Sequence, residues 1–120
     1  MSNSDYSKSD LVEALKGIGL KDGDLVFIHN SMFHLGRLEN GNSSKEVSRI
    51  VFDSFFEVLG TNGTLLVPTY TYSFCNNESF DVKNTPSSIG TFTEFFRNQK
   101  DAIRSTDPIF SVSGIGPKSK

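Results

Sequence analysis

Two clusters of hydrogen-bonding side chains carry most of the chemistry this chain can offer: His29-Asn30-Ser31 and Arg104-Ser105-Thr106-Asp107. The first follows without a break on four apolar residues, Leu25-Val26-Phe27-Ile28, and continues through Met32-Phe33-His34-Leu35-Gly36. A buried strand ending in polar side chains is how open α/β proteins build sites, because ligands bind in the crevice at the carboxyl ends of strands. The plainer account is a surface turn that is merely polar. In the second cluster the guanidinium offers forked donors and the adjacent hydroxyls add more, a set suited to an anionic oxygen. Its plainer account is an Arg104–Asp107 ion pair that fixes a turn. His29, Ser31 and Asp107 are also the residue types of a hydrolase triad. A triad is defined by geometry, however, and Ser31 lacks the glycine-flanked elbow that presents a hydrolase serine. A histidine satisfied structurally at a strand end explains His29 as well.

The elements that must position these clusters can be read from spacing. Residues 1 to 8 are expected to form a flexible tail, and residues 9 to 120 the N-terminal portion of an α/β domain. Asp10 and Glu13 have capping-box spacing, with Leu11, Ala14, Leu15 and Ile18 on one helical face. Ser43 and Glu46 repeat that spacing and open a helix to Leu59, with Val47, Val51, Phe55 and Val58 as its buried stripe and Gly60 as its stop. Asn62-Gly63 then turns the chain into a strand at Leu65-Leu66-Val67, followed by Pro68-Thr69-Tyr70-Thr71-Tyr72. Residues 73 to 88 show no periodicity and read as a long loop, a feature that is usually functional in compact domains. A helix over Ser88 to Asn98 and a strand over Ile109 to Ile115 complete the pattern. Alternating helices and strands predict an α/β fold, a layered sheet with flanking helices. Three strands leave a thin sheet with open edges, so an incomplete N-terminal portion of a larger single domain is expected.

Composition excludes several classes. The 120 residues allow one domain or part of one, and 36% hydrophobic with 22% charged residues is ordinary for a globular chain. A net charge of -2 lacks the basic footprint of nucleic-acid binding. The single Cys75 and two histidines are too few for a structural zinc site or an internal disulfide. No segment reaches membrane-spanning length and the N-terminus lacks a signal-peptide core, so no membrane association and a reducing, cytoplasmic compartment are the default expectations. Gly114-Ile115-Gly116 after a strand invites a dinucleotide-fold reading, but Pro117 interrupts the motif and a turn accounts for it better.

Taken in order, the segments resemble the N-terminal half of the aminoglycoside 3-N-acetyltransferase family. The pieces are Phe27-Ile28-His29-Asn30-Ser31-Met32 with Leu35-Gly36, Gly63 to Tyr72, Phe80-Asp81, Asn84-Thr85-Pro86-Ser87, and Ile89-Gly90 with Glu94 and Phe96-Arg97. Arg104-Ser105 with Asp107-Pro108, Ser111-Val112 and Gly114-Ile115-Gly116-Pro117 follow. Each piece is weak; order and spacing make the set specific. The resemblance implies an acetyl-coenzyme A-dependent N-acetyltransferase acting on an amine of an amino sugar or aminoglycoside, an antibiotic-resistance activity in that family. It implies coenzyme A contacts from His29, Asn30, Ser31, Met32, Phe33, Leu35 and Gly36 and from Arg104, Ser105, Pro108, Ser111 and Val112. It also implies a catalytic histidine with an acidic partner beyond Lys120, and no metal.

Two departures stand out: the family's usual serine is Asn30 here, and its usual histidine is Asp107. Together they suggest a divergent relative. For the acceptor, Tyr70, Tyr72 and Asp81 are the expected contacts, since aromatic faces and a carboxylate attract ammonium groups; packing at the core edge is the alternative for both tyrosines. Two other functions compete with the transferase. One is a non-catalytic α/β remnant or assembly module that retains a coenzyme A-binding surface. The other is a serine hydrolase using Ser31. Oligomeric state is open, a homo-oligomer included.

Overall fold

The structure, a computed structural model, describes residues 5–28, 37–71, 77, 79–87, 91–107 and 111–119. Among the described residues three helices and four strands follow in the order α1 (Lys8–Gly17), β1 (Leu25–Phe27), α2 (Ser44–Leu59), β2 (Thr64–Pro68), α3 (Thr91–Arg97), β3 (Ile103–Arg104) and β4 (Val112–Ile115). The expected α/β class and layered architecture are present.

α2 follows its sequence signals closely. The Ser43 hydroxyl accepts from the Glu46 amide, and Gly60 caps the other end. The Glu46 carboxylate reaches back to the Asn42 amide at 3.0 Å, one residue before the position a capping box would use. For α1 the box lies one turn earlier than its expected place. Ser7 and Asp10 form it reciprocally, and the helix begins at Lys8. The described end of the expected tail is therefore tied to the fold. Tyr6 bridges to Leu38, and the Asp5 carboxylate accepts from the Arg37 amide at 2.8 Å. With this earlier start the buried face of α1 is Val12 and Leu15, while Ala14 is exposed and Ile18 lies outside the helix, 77% exposed.

The sheet order is β1-β2-β4-β3. β1 pairs parallel with β2, and β4 pairs antiparallel with both β2 and β3. The sheet is mixed because β4 runs antiparallel to β2, and the helix–strand alternation is broken by β3, a two-residue strand inside what reads as a connecting segment. One face of the sheet carries Leu65 and Val67, both essentially inaccessible, into a core shared with Val51, Phe55, Val58 and Leu59 of α2 and Phe92 and Phe96 of α3. A cluster of rings joins the two helices: Phe52 lies 5.8 Å from Phe96 and 5.9 Å from Phe95, centroid to centroid. The other face is more open. Phe27, Leu66, Gly114 and Ile103 fall in one row across it, with Phe27 46% and Ile103 44% exposed.

Candidate functional site

Register alone brings several expected site segments to one end of the sheet. β1 and β2 run parallel, Pro68 pairs with Val112, and Arg104 pairs with Ser113. The exits of β1, β2 and β3 and the entry of β4 therefore share one end. β1 leads towards the segment that begins at His29. His29, Asn30, Ser31, Met32, Phe33, Leu35, Gly36, Tyr72 and Pro108 themselves lie outside the described residues.

Among the described candidates, Arg104 and Ser111 are buried, Tyr70 and Val112 half-buried, and Ser105 and Asp81 exposed. Ser105 closes the β3–β4 connection: its amide donates to the Val112 carbonyl and its hydroxyl accepts from the Val112 amide, each at 2.8 Å. The Ser111 hydroxyl donates to the Thr69 carbonyl at 2.6 Å and accepts from Arg104 Nε at 3.0 Å. Thr69 Oγ1 lies 3.2 Å from the hydroxyls of both Ser111 and Ser113. Three buried hydroxyls thus satisfy one another between β2 and β4, as polar groups withdrawn from water must.

Arg104, expected to face an anion or to pair with Asp107, directs its guanidinium at protein oxygens. Besides Ser111, Nη2 donates to the Thr69 carbonyl at 2.8 Å, and Nη1 to the carbonyls of Thr85 and Val82. Its carbon sits 5.0 Å from the Phe80 ring centroid. Burial, with repulsion from Arg97, lowers its pKa against a smaller opposing pull from Glu94; an arginine so placed stays charged at neutral pH.

The loop that receives these bonds is ordered from a second side. Arg97 Nε and Nη2 fork onto the Glu94 carboxylate at 2.7 and 2.6 Å, while Nη1 donates to the Lys83 carbonyl at 2.6 Å. Glu94 also accepts from the Ser87 amide at 2.9 Å. Sequence reasoning missed this pair as a site element, although Glu94 and Arg97 stand at helical i, i+3 spacing. Asp81 organises the turn itself: its carboxylate accepts from the Lys83 amide and the Asn84 side chain, at 2.9 and 3.1 Å. Those bonds, the Lys83 amide first, hold its pKa below the ordinary value, so this exposed carboxylate remains anionic.

Burial would raise the pKa of Glu94, but the bonds from Arg97, Ser87 and Asn98 outweigh it and the net shift is downward. A lowered folded-state pKa means stabilisation that is complete above the unfolded-state value and lost as pH falls through the folded one. In an acid titration followed by NMR, the Ser87 amide and Arg97 Nε–H are expected to move together, with a midpoint below that of an ordinary glutamate. A midpoint at or above it contradicts the pairing.

A cavity of about 290 Å³ is lined by Asn40, Lys45, Glu46, Arg49, Ile50 and Phe95, none of them an expected site residue. Among the described residues no three His, Cys, Asp or Glu side chains cluster to hold a metal, and no helix is long and apolar enough to cross a membrane.

Comparison with known proteins agrees with this architecture. The chain is 27% identical over 109 residues to the aminoglycoside N(3)-acetyltransferase IX of Micromonospora chalcea, covering 91% of this chain and 32% of that protein. A mutant of the aminoglycoside acetyltransferase AAC(3)-IVa, solved in complex with a gentamicin, superposes with a TM-score of 0.82 at 25% identity, over 99% of this chain and 43% of that one. The acetyltransferase AAC-IIIb, solved with coenzyme A, shares the fold at a TM-score of 0.76 and 21% identity, over 95% of this chain and 47% of that one. The chain thus spans less than half the length of each. The sequence profile of the aminoglycoside 3-N-acetyltransferases matches residues 27–120, and the chain belongs to that family.

Proposed function

We propose that this chain forms the coenzyme A-binding half of an acetyl-coenzyme A-dependent N-acetyltransferase whose acceptor is an amine of an amino sugar or aminoglycoside. The observation that carries the proposal is the family match over residues 27–120, joined to a sheet whose register gathers the β1, β2 and β3 exits at one end. Relatives solved with coenzyme A and with a gentamicin support the two ligand classes.

In this reading the segment from His29 to Gly36, with Ser105, Pro108 and Val112, borders the pantetheine and phosphates through backbone groups and hydroxyls. Ser111 supports that wall from inside the sheet. Tyr70, Tyr72 and the anionic Asp81 face the cationic acceptor. The acceptor ammonium first gives a proton to a base. Its nitrogen then attacks the thioester carbonyl, forming the N–C bond, the C–S bond breaks to release coenzyme A thiolate, and the second proton shed by the acylated nitrogen converts that thiolate to the thiol. A positioned base is worth roughly 10²- to 10⁴-fold in such a step.

The test is acetyl transfer by the protein of the whole reading frame that contains this chain. Thiol release from acetyl-coenzyme A that depends on added aminoglycoside or amino sugar is the expected outcome. Its absence across a panel of both acceptors overturns the enzymatic reading. Calorimetric binding of coenzyme A without turnover would then favour the binding-module alternative.

A further inference from the structure

The chain from Phe80 to Ser87 forms no ladder with a described strand, yet its backbone is met at four points by side chains from two elements. β3 supplies Arg104, which takes the carbonyls of Val82 and Thr85. α3 supplies Arg97 to the Lys83 carbonyl and Glu94 to the Ser87 amide. Arg104 also links this turn to the sheet, because its Nη2 holds the Thr69 carbonyl at the β2 exit. It is only 8% exposed, and the Phe80 ring covers it at 5.0 Å. A charge so withdrawn from water is tolerable only when its donors find partners, and here bonds to Ser111, Thr69, Thr85 and Val82 engage all three nitrogens and four of the five N–H donors. The geometry is specific to a planar fork. Lysine, with three donors on one atom, cannot reach Ser111, Thr69 and Thr85 at once.

We infer that Arg104 is a positioning residue that fixes the 80–85 turn, and with it Asp81, against the β2 exit beside Tyr70. The acceptor-facing wall is then formed before any acceptor arrives, which removes an ordering cost from binding. The clamp rests on geometry; only its consequence for the acceptor rests on the proposed function.

The experiment compares wild type with Arg104→Lys in the whole-reading-frame protein, by amide hydrogen exchange and by kinetics. Exchange at Lys83, Thr85 and Ser87 is expected to rise on the order of tenfold or more, the effect of losing one or two charge-assisted bonds, with α2 and β2 protection unchanged. Acceptor KM should rise by a similar factor, while the KM for acetyl-coenzyme A stays within about twofold. Unchanged loop exchange with weakened coenzyme A binding overturns the inference, for Arg104 would then be a cofactor ligand. Phe80→Leu keeps the arginine and removes the ring; it should give the same pattern at smaller amplitude, and it carries the test if Arg104→Lys does not fold. Loss of protection throughout the molecule in both variants also overturns it. If no acetyl transfer is found at all, the exchange measurement still decides the clamp.

Discussion

Truncation of Phe96 to alanine is expected to cost about 3–5 kcal/mol of unfolding free energy, the range for a fully buried phenylalanine. The side chain is wholly inaccessible, with rings of Phe52 and Phe92 at 5.8 and 6.3 Å. α3 has seven residues, fewer than the roughly dozen an isolated helix needs to hold its own shape, so its docking depends on Phe92 and Phe96. A small domain has about 5–15 kcal/mol in total, so the loss is a large fraction of it. Denaturant unfolding should show the midpoint falling steeply in Phe96→Ala. Phe95→Ala should shift it much less, because that ring is half-buried and lies under Arg49 at 5.0 Å. Equal shifts would mean that α3 is not anchored as described. The site is coupled to this packing, since α3 carries Glu94 and Arg97, which order the 83–87 backbone.

How much of this was legible depended on whether the signal was local. α2 declares itself: Ser43 and Glu46 at one end, Gly60 at the other and an apolar stripe between leave one solution. α1 is less distinct because two capping-box spacings overlap, Ser7 to Asp10 and Asp10 to Glu13, and the earlier one forms. β3 has no local signature at all. Ile103 is exposed and Arg104 is charged, and the strand exists only through its pairing with Gly114 and Ser113. The sheet is mixed because β4 lies antiparallel on β2, which itself pairs parallel with β1. Arg104 shows the limit most sharply. Residue type identifies a strong forked donor at a junction, but its acceptors are mainly backbone carbonyls 19 to 35 residues earlier in the chain. Backbone carbonyls look alike at every position of a sequence, so an internal acceptor and a bound anion cannot be told apart there. Asp81 was recognisable as an exposed carboxylate, whereas its role as the centre of a turn follows only from the bonds to Lys83 and Asn84.

The glycine pair at the end of β4 supplies the second large effect, and it separates two meanings that one motif can have. A dinucleotide fingerprint needs glycine where the backbone approaches a pyrophosphate; at Gly116 the backbone approaches another part of this chain. A Cβ built there would overlap the Gly63 carbonyl oxygen and stand 2.6 Å from Thr64 Cα, and φ is +130°. Neither neighbour can yield, because both are backbone at the entry of β2, the strand that joins the two halves of the sheet. Strain and overlap together should make Gly116→Ala cost roughly 2–6 kcal/mol. The Lys118 amide bond to Thr64 Oγ1, at 3.0 Å, should go with it. Gly17→Ala is the natural comparison, since its Cβ would meet nothing within 4 Å and the residue closes α1. That change should stabilise by about 0.4–1 kcal/mol through the unfolded chain. Opposite signs for two identical substitutions, read as urea midpoints, are what close backbone packing at Gly116 requires. A neutral Gly116→Ala would mean that the turn after β4 does not lie against β2.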